Sequence, residues 1–357
     1  MDIDVITDVG SFSDLEEEWN DLFGRCRLGL PFLTHAWVST WWGASGEEAD
    51  RITLAIRDGG RLVGVAPLHR DRLRVKGIPV LRELQFAHGA PADYRDVLVE
   101  AGREWDVWRA LLEWLTDELD GWDALVLRGI HADSATNELV PVLARQSGLC
   151  VSGHVGTPCP FIKLPGDLDS FLADLSGSVR RKMGQKWRNL AKHHGEPTVR
   201  VAVGAEVTDA DVDVFLRLHE SSWEGRGGSA ALHTEQLRGF HRSLVPAMPA
   251  DAPPVLLMLS VGGQDIACIY GFLGDGVMYD YLPGAGPEFE RYSVGSQALM
   301  RLVEHGIEHG WREIDLMRGM EPYKFHFTRR CRHNIDLMVC RKPRYARMLA
   351  VLESADQ

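Results

Sequence analysis

The sequence has few cysteines, and they form no recognisable binding or cross-linking motif. The six cysteines among 357 residues are scattered, without a single C-x-x-C pair. This spacing is neither that of a disulfide framework nor that of a structural zinc site. The cysteines therefore predict packing roles in a reducing compartment, which we expect to be the cytoplasm.

Long apolar runs are also missing. The longest apolar stretches, such as VLLML at 255–259, are far too short to span a bilayer. The first residues, MDIDVITDVGSFSDLEEEW, lack both a basic start and a long apolar run. We therefore expect neither a signal peptide nor membrane insertion.

Several motifs that carry common chemistries are absent as well. The sequence has no Walker loop, no G-x-S-x-G and no G-x-G-x-x-G after a predicted strand. His305 and His309 are four residues apart on one predicted helix, but no third ligand lies near them in sequence, so we expect no metal site. The net charge of −12 argues against a general nucleic-acid coat, although a local basic groove remains compatible with it.

The chain contains two similar series of predicted elements. Residues 51–69 predict a hairpin. It is followed by a predicted helix over 105–119 and a predicted strand, DALVLRG, over 123–129. Residues 255–282 predict a three-stranded meander, and a helix over 296–309 and the strand EIDLMRG follow. In both series a Gly-Trp turn joins the helix to the strand, which ends in Arg-Gly. The repeated order predicts a doubled α+β fold.

The predicted halves are residues 1–165 and 166–357, each a mixed sheet flanked by helices. A strongly basic helix, SGSVRRKMGQKWRNLAKHHG at 176–195, lies at their junction. Its basic residues are Arg180, Arg181, Lys182, Lys186, Arg188 and Lys192. Two interpretations remain open: a solvated helix face, or a site for a phosphate-bearing ligand.

A second helix carries a histidine on its apolar stripe. The segment DADVDVFLRLHESSW at 209–223 places His219 on the same stripe as Phe215 and Trp223. A histidine in this position is either a hydrogen-bonded core residue or, if the face borders a cleft, a general base.

The segment EIDLMRGMEPYKF at 313–325 is a short strand that ends in a glycine and a polar cluster. Strand ends that deliver polar side chains to loops commonly carry the chemistry of α/β proteins. Gly319 would allow the sharp turn that places Tyr323 and Lys324 over a site. A surface turn with an exposed Tyr-Lys pair is the alternative.

These segments resemble the acetyltransferase-like family named after the cellulose-biosynthesis proteins CelD and BcsL, within the GNAT superfamily of acyl-CoA N-acyltransferases. The family's closing pattern D-x-x-x-G-x-x-x-Y-K is formed here by Asp315, Gly319, Tyr323 and Lys324. PFLTHAWVSTWW at 31–42 and LHESSWEGRGG at 218–228 are similar to further family segments. The resemblance covers about residues 30–340 and is strongest over 170–327.

The resemblance implies a tandem GNAT-like fold and acyl transfer to an amine of a sugar, amino acid or other small molecule. It implies acyl-CoA as the co-substrate, with acetyl-CoA as the first candidate. The related FemAB-type enzymes have two GNAT-like halves and use aminoacyl-tRNA, so a tRNA-linked donor is an alternative. An acyl-carrier protein is a third donor, and a non-catalytic accessory protein of polysaccharide biosynthesis is an alternative from another class.

The resemblance also implies where the donor pyrophosphate binds, at a helix N-terminus that offers free N–H groups. The corresponding segment is RYSVGSQA at 291–298, but Tyr292 and Gln297 depart from the family signature. The expected donor-binding residues are Val294, Gly295, Ser296, Arg180 and Arg181.

By the same resemblance, the strand VMYDYLPG would lie beside the acyl carbonyl. Strict alternation along it sets Asp280 on one face and Tyr279 and Tyr281 on the other. The expected catalytic residues are His219, Asp280, Tyr281, Tyr323 and Lys324, and the expected substrate contacts are Trp223, Tyr279, Asp315 and Arg318. A salt bridge to a neighbouring arginine is the alternative for Asp280, and aromatic packing is the alternative for Tyr279 and Tyr281. The first half has no counterpart of Tyr323-Lys324, so we expect its pocket to be vestigial and its role to be completing the second site.

Overall fold

The computed structural model describes residues 1–45, 50–89, 92–224, 228–229, 231–232 and 234–345. These residues form two compact units. The first unit is Met1–Thr157 with the described residues from His333 on, and the second unit is Pro158–Arg332. The sequence analysis placed the boundary after residue 165 and all later residues in the second half. The structural division differs because the last strand pairs within the first unit.

The described residues form α-helices and strands in alternating groups. The helices are α1 (Val9–Asp14), α2 (Glu16–Phe23), α3 (His35–Ser45), α4 (Glu104–Asp117), α5 (Thr136–Gln146), α6 (Leu168–Asp174), α7 (Gly177–His194), α8 (Asp209–Ser222), α9 (Glu235–Ala247) and α10 (Val294–Glu308). The strands are β1 (Asp2–Ile6), β2 (Arg51–Asp58), β3 (Arg61–Val75), β4 (Ile78–Phe86), β5 (Leu98–Val99), β6 (Ala124–Ile130), β7 (Cys150–Lys163), β8 (Thr198–Val203), β9 (Pro254–Val261), β10 (Gln264–Gly274), β11 (Val277–Ala285), β12 (Glu313–Asp315) and β13 (Cys331–Cys340). Within these described ranges, no helix has the length and apolar character needed to cross a membrane.

The first unit is built on a mixed sheet with the strand order β1-β2-β3-β4-β6-β13. Strands β2, β3 and β4 form an antiparallel meander, and β6 then pairs parallel to β4. Helix α4 lies between β4 and β6 in sequence and buries Trp108, Leu111 and Leu115 completely or nearly so. Burial of such side chains contributes about 1.5–3 kcal/mol each and fixes the helix against the sheet.

The second unit repeats this plan with the strand order β7-β12-β11-β10-β9-β8. Strands β9, β10 and β11 form an antiparallel meander, α10 follows, and β12 pairs parallel to β11. Helix α10 buries Leu299, Leu302 and Val303 in the core of this unit. The repeated order of meander, helix and parallel strand confirms the predicted α+β, GNAT-like fold.

Local sequence explains the limits of the two helices that flank the candidate site. Helix α7 begins where the Ser176 side chain accepts a hydrogen bond from the Val179 N–H, and it ends at Gly195 with a φ of 94°. Helix α8 begins with a reciprocal pair, in which the Thr208 and Asp211 side chains each accept from the other's backbone N–H. Such caps satisfy donors that the first turn of a helix leaves free.

Two prolines lie inside a strand, a position that proline usually disfavours. Pro158 and Pro160 are both part of the long strand β7. Proline lacks an N–H, yet its carbonyl still accepts. The Pro160 carbonyl accepts from the Leu316 N–H at 2.9 Å, and the Pro158 carbonyl accepts from the Gly319 N–H at 3.0 Å. The prolines therefore take part in these hydrogen bonds only as acceptors, through their carbonyl oxygens.

Candidate active site

The two parallel strands at the centre of the second unit pair over only part of their length. Strand β11 pairs with β12 from Val277 opposite Glu313 to Tyr279 opposite Asp315. Beyond Tyr279, β11 continues to Ala285, whereas β12 ends at Asp315. The carboxyl-terminal half of β11 therefore lies beyond its last pair with β12, and carboxyl ends of strands are common sites of chemistry.

A β-bulge lies at this position in β11. Tyr270 pairs with Leu282 and Phe272 pairs with Tyr279, so Asp280 and Tyr281 together face the single residue Gly271. A Cβ on Gly271 would lie 1.9 Å from the Tyr279 carbonyl oxygen, so only glycine fits there. Bulges redirect side chains. The alternation predicted from the sequence for this strand is therefore interrupted between Tyr279 and Leu282.

Asp280 is buried at the bulge without full hydrogen bonding. Its side chain is only 4% exposed, and its Oδ1 has no hydrogen-bond partner among the described residues. Burial raises the pKa of Asp280 to about 7, the Lys324 ammonium acts in the opposite direction, and Asp315 and Glu321 raise it further. A carboxyl group in this state exchanges its proton near neutral pH, as a general base must.

Two residues of the loop after β12 have left-handed backbone conformations, which explains the glycine in the closing motif. Met317 has a φ of 56° and Gly319 a φ of 117°. The Asp315 Oδ1 accepts from the Met317 N–H at 2.8 Å and so stabilises the first of these turns. Asp315 itself is fully buried and lies 3.8 Å from the Arg332 guanidinium. In the structure Asp315 thus anchors the loop that carries the Tyr-Lys pair.

Lys324 is buried beneath this loop. Its ammonium donates to the Arg318 carbonyl at 2.9 Å and pairs with the Glu321 carboxylate at 2.8 Å, and the Met317 carbonyl lies at 3.4 Å. These contacts hold the loop closed on itself. Arg318 contributes its carbonyl to this arrangement, while its side chain is exposed.

The candidate tyrosines are largely enclosed. Tyr279 and Tyr281 are buried, and Tyr323 is partly buried just before a short 3-10 helix at Lys324–His326. Burial raises the pKa of Tyr323, and the nearby Asp280 and Glu321 carboxylates add to this. Burial likewise raises the pKa of Tyr279. Both phenols therefore stay protonated at neutral pH and act as hydrogen-bond donors.

On the α8 side of β11, His219 is buried and bonded at both ring nitrogens. Nδ1 lies 2.7 Å from the Pro283 carbonyl oxygen, and Nε2 lies 2.7 Å from the Ser229 hydroxyl. Burial lowers the pKa of His219. Trp223, at the end of the same helix, is 42% exposed and packs near the His219 ring. Residues 225–227, the Arg-Gly end of the family-like segment, lie outside the described residues.

Sequence analysis missed a second polar group on this face of the sheet. His241 and Tyr270 are fully buried, and neither the His241 ring nitrogens nor the Tyr270 hydroxyl has a hydrogen-bond partner in the described chain. The ring of Phe215 packs against both side chains. Burial lowers the pKa of His241 to about 3, so this imidazole is neutral. Neither residue belongs to a sequence motif that would have singled it out.

Helix α10 begins in a way that suits an anionic group. Its N-cap residue Ser293 has a left-handed backbone conformation, with a φ of 53°, and its side chain makes no capping hydrogen bond. The Ser293 hydroxyl accepts from the Lys186 ammonium instead. Val294 is buried, Gly295 and Ser296 are partly exposed, and a Cβ on Gly295 would meet open space. The first turn of α10 therefore combines free helix N–H groups with a nearby cation.

Helix α7 is fixed beside this first turn. The Gln297 side-chain amide donates to the Met183 carbonyl at 3.0 Å, and the His193 ring lies 2.9 Å from the Tyr292 hydroxyl. Along its outer face the basic side chains are exposed, and the described residues provide no ion-pair partner for them. These side chains are those of Arg180, Arg181, Lys182, Arg188 and Lys192. The structure thus leaves a row of cations accessible on α7.

The first unit has different residues at the corresponding strand positions. Aligned on Arg128-Gly129 and Arg318-Gly319, Leu125 stands where Asp315 stands. Its partner on β4 is Leu84, and the next residue of that strand is a glutamine. The carboxylates of the second unit are thus replaced by apolar and amide side chains.

A separate cavity of the first unit is bordered by another buried carboxylate, Asp96. The Thr136 hydroxyl donates to Asp96 at 2.7 Å, and the Ser134 hydroxyl donates as well. Burial raises the pKa of Asp96 to about 6 although both hydroxyls and the Val97 N–H oppose the shift. This carboxyl group therefore has a complete set of donors within its own unit, unlike Asp280.

Comparisons with known proteins agree with this architecture. The profile of the family described as acetyltransferase (GNAT) domain matches residues 177–325. The match contains α7, the meander, α10 and the loop with Lys324. The match covers less than half of the chain and supports a GNAT-type transferase domain over these residues. No curated protein matches the sequence.

Three solved structures resemble nearly the whole chain. FemX has a TM-score of 0.62 and 13% identity, with 94% of this chain and 97% of FemX covered. A conserved protein of unknown function from Bacteroides thetaiotaomicron has a TM-score of 0.58 and 12% identity, with 96% and 100% covered. L-PGS from Bacillus licheniformis has a TM-score of 0.56 and 11% identity, with 95% of each chain covered. At these identities the likeness establishes the fold alone.

Proposed function

We propose that the protein is an N-acyltransferase that moves an acyl group from acyl-CoA, with acetyl-CoA first, to the amine of a small molecule, sugar or amino acid. The observation that carries the proposal is the buried Asp280 carboxyl group where β11 and β12 cease to pair; its Oδ1 has no hydrogen-bond partner in the described part of the chain. Beyond the last pair, β11 has no further strand partner on this side among the described residues, so an extended acyl-pantetheine chain can lie beside residues 280–282. The Pro283 and Ala285 backbone groups further along are bonded by α8 side chains.

The residues at this position match the steps of amine acylation. The attacking amine must be neutral, and Asp280, with a pKa of about 7, can take its proton at physiological pH. Tyr323 or Tyr281 would donate a hydrogen bond to the leaving thiolate as the C–S bond breaks. Lys324 holds the loop and keeps a positive charge close to Asp280, while Trp223, Tyr279 and Arg318 are proposed contacts of the substrates.

The start of α10 is the proposed site of the donor pyrophosphate. Backbone N–H groups at Val294, Gly295 and Ser296 would bind phosphate oxygens, with the Lys186 ammonium beside them. Arg180 and Arg181 at the start of α7 are proposed to bind the same donor. The departures from the family signature at Tyr292 and Gln297 have local explanations, because both side chains bond to α7.

The test is a calorimetric and thermal-shift titration with acetyl-CoA, longer acyl-CoAs and free CoA. A ligand that binds only the folded protein, supplied at 100 times its Kd, should add about 2.7 kcal/mol to the free energy of unfolding. Lys186→Met should weaken binding by about tenfold, because it removes one charge-assisted contact worth roughly 1.5 kcal/mol.

Lys182→Met is the matched control for this titration. It removes an exposed cation from the same helix without touching Ser293. Equal weakening by both variants would point to nonspecific attraction rather than a site at the start of α10. Failure of every CoA species to bind would overturn the proposed donor.

A second donor class is favoured by one observation, the row of exposed cations on α7. Five exposed basic side chains on one helix, without ion-pair partners among the described residues, suit a polyanion such as aminoacyl-tRNA, and they also suit an acidic acyl-carrier protein. Binding of tRNA would weaken steeply with salt, because each neutralised phosphate releases counterions. Binding of CoA, which carries few charges, should depend on salt only weakly.

The narrower features of the proposal are supported by the sequence resemblance. They are membership of the CelD/BcsL type and a small-molecule acceptor. The proposed cytoplasmic location is supported instead by the scattered cysteines. We also propose that the first unit has a vestigial site, which is supported by Leu84 and Leu125 standing at the positions of Tyr279 and Asp315.

A further inference from the structure

A serine and a histidine form a bonded pair on the α8 side of β11. The Ser229 hydroxyl lies 2.7 Å from His219 Nε2, and His219 Nδ1 lies 2.7 Å from the Pro283 carbonyl oxygen. A carbonyl oxygen only accepts, so Nδ1 must carry the proton. In the neutral ring Nε2 is then an acceptor, and the Ser229 hydroxyl donates to it.

The protonation state of the pair suits proton abstraction. His219 is 2% exposed and Ser229 is 8% exposed. Burial lowers the pKa of His219 below its ordinary value, which keeps the ring neutral at physiological pH. A hydroxyl bonded to a neutral imidazole whose other nitrogen is held by a third group is the arrangement of an activated nucleophile.

Rigid elements hold the histidine of this pair at the carboxyl-terminal half of β11. Pro283 lies beyond Tyr279, the last residue that pairs with β12. The Ser222 hydroxyl bonds to both the N–H and the carbonyl of Ala285, which ties α8 to the end of this strand. The base is therefore fixed beside the part of β11 where the proposed acyl donor lies.

A backbone donor also faces the serine oxygen. The Ala231 N–H lies 3.2 Å from Ser229 Oγ and donates to it. A donor at this oxygen stabilises negative charge as the hydroxyl loses its proton. Ser229 thus has a base for its proton and a donor for its charge.

We propose that Ser229 is an acyl-accepting nucleophile and that acyl transfer proceeds in two steps through an ester on Ser229. The proposal rests on the proposed use of an acyl thioester. In the first step Ser229 Oγ attacks the thioester carbonyl and its proton passes to His219 Nε2. The C–O bond forms, the C–S bond breaks, and the thiolate leaves with that proton.

In the second step the neutral acceptor amine attacks the ester. In this two-step route His219 Nε2 takes the amine proton that Asp280 takes in direct transfer. The C–N bond forms, and the C–O bond breaks. Ser229 Oγ then regains the proton from His219. The amide leaves, and both side chains return to their starting states without an oxidant, a metal or a further reactant.

The experiment exposes the protein to acetyl-CoA without any acceptor, quenches it in acid, and measures the intact mass and the modified peptide. p-Nitrophenyl acetate serves as a second acetyl donor that needs no CoA site. We expect one acetyl group per chain, on Ser229, with both probes. Ser229→Ala should remove the label, and His219→Gln should slow labelling by about 10²- to 10⁴-fold.

Ser229→Cys and Ser221→Ala are the matched variants. The cysteine keeps a nucleophile at the same position and should still be acetylated, whereas Ser221, a half-buried serine on α8, should be dispensable. Labelling of the parent protein should rise with pH through a pKa below 6.5 and then level off, because only neutral His219 accepts the proton. Thermal melts of each variant verify that it is folded.

The outcomes separate this inference from the proposed function. If calorimetry detects acetyl-CoA binding but neither probe labels Ser229, the covalent step is wrong and direct transfer stands. If acetyl-CoA does not bind but p-nitrophenyl acetate labels Ser229 in a His219-dependent way, the nucleophile is supported and the CoA donor is wrong. A label that persists in Ser229→Ala, on a lysine or cysteine, overturns the inference.

Discussion

Tyr279 and Asp315 are the last residues at which the parallel strands β11 and β12 pair. The next residue of β11 is Asp280, which lies in a bulge and has a buried oxygen without a described partner. The buried Asp280 carboxyl group therefore lies where the pairing of the two strands ends. We therefore expect the proposed chemistry to depend on the protonation of Asp280.

The first prediction concerns that protonation. Asp280 is expected to act as a base only when ionised, so activity should rise between about pH 6 and pH 8, around its pKa of about 7. Asp280→Asn cannot take a proton and should lower kcat by about 10²- to 10⁴-fold. A pH–rate profile of the two proteins checks this, and an unchanged profile in the variant would contradict the assignment.

The same pKa makes a prediction about stability. The pKa of Asp280 is higher in the folded than in the unfolded protein, so the folded protein binds this proton more tightly. The free energy of unfolding therefore falls as pH rises from about 4 to about 7. Between pH 5 and pH 8 the loss should be roughly 2–3 kcal/mol. Asp280→Asn should lack this loss, which urea unfolding at the two pH values would measure. An equal loss in the variant would assign the pH dependence to other groups.

The second prediction concerns the charges around Asp280. The Lys324 ammonium lowers the pKa of Asp280 and the Glu321 carboxylate raises it. Lys324→Met should therefore move the rising limb of the pH–rate profile to higher pH, and Glu321→Gln should move it to lower pH. Lys324→Met should also cost about 1–3 kcal/mol, because the Arg318 and Met317 carbonyls lose their donor. Shifts of the same sign in both variants would show that the charges do not act on Asp280.

The third prediction concerns the bulge. Gly271→Ala would place a Cβ 1.9 Å from the Tyr279 carbonyl oxygen, and backbone cannot move away as a flexible side chain can. We expect destabilisation of about 1–3 kcal/mol or more, together with loss of activity as Asp280 is displaced.

Gly239→Ala on α9 is the control, because a Cβ there meets nothing within 4 Å. Alanine within a helix should stabilise it by roughly 0.5–1 kcal/mol. Denaturant unfolding of both variants would check the difference, and equal stabilities would contradict the clash.

The fourth prediction concerns His241, whose pKa is shifted in the opposite direction to that of Asp280. Burial lowers its pKa to about 3, so the unfolded protein binds the proton more tightly and stability is lost as pH falls from about 6.5 to about 3. His241→Phe should be less sensitive to acid than the parent by roughly 3 kcal/mol between pH 7 and pH 4. His326→Phe, at an exposed histidine, should leave the acid sensitivity unchanged. Thermal melts across this range would distinguish the two variants.

The periodic parts of the chain were predictable because their patterns depend on neighbours in sequence. The apolar stripe of α8, the basic face of α7 and the meander over β9, β10 and β11 lie close to their predicted limits. Helices α5 and α9 were not predicted, and each contains a proline near its middle or end, Pro141 and Pro246. Proline is normally evidence against a helix interior, and tertiary packing overrides this preference.

Other features depend on partners far away in sequence. The assignment of β13 to the first unit follows from its pairing with β6, about two hundred residues earlier, as in Leu337 opposite Leu127. The bulge at Asp280 follows from the close approach of Gly271, and no pattern within β11 indicates it. The bond between Ser229 and His219 likewise joins a loop residue to a helix stripe that looked like core.

The sequence by itself determined the order of the elements, the doubling of the α+β plan and the residue types available for acyl transfer. Hydrophobic periodicity, turn glycines and the closing Tyr-Lys motif are local, so they can be recognised along the chain. Only the tertiary structure decided which polar groups become buried and what bonds to them. Folding buries Asp280 without a partner for Oδ1 among the described residues. It also bonds Lys324 to loop carbonyls and places His219 between Pro283 and Ser229. Burial and bonding are set by residues distant in sequence, and they in turn set the pKa values on which the proposed chemistry depends.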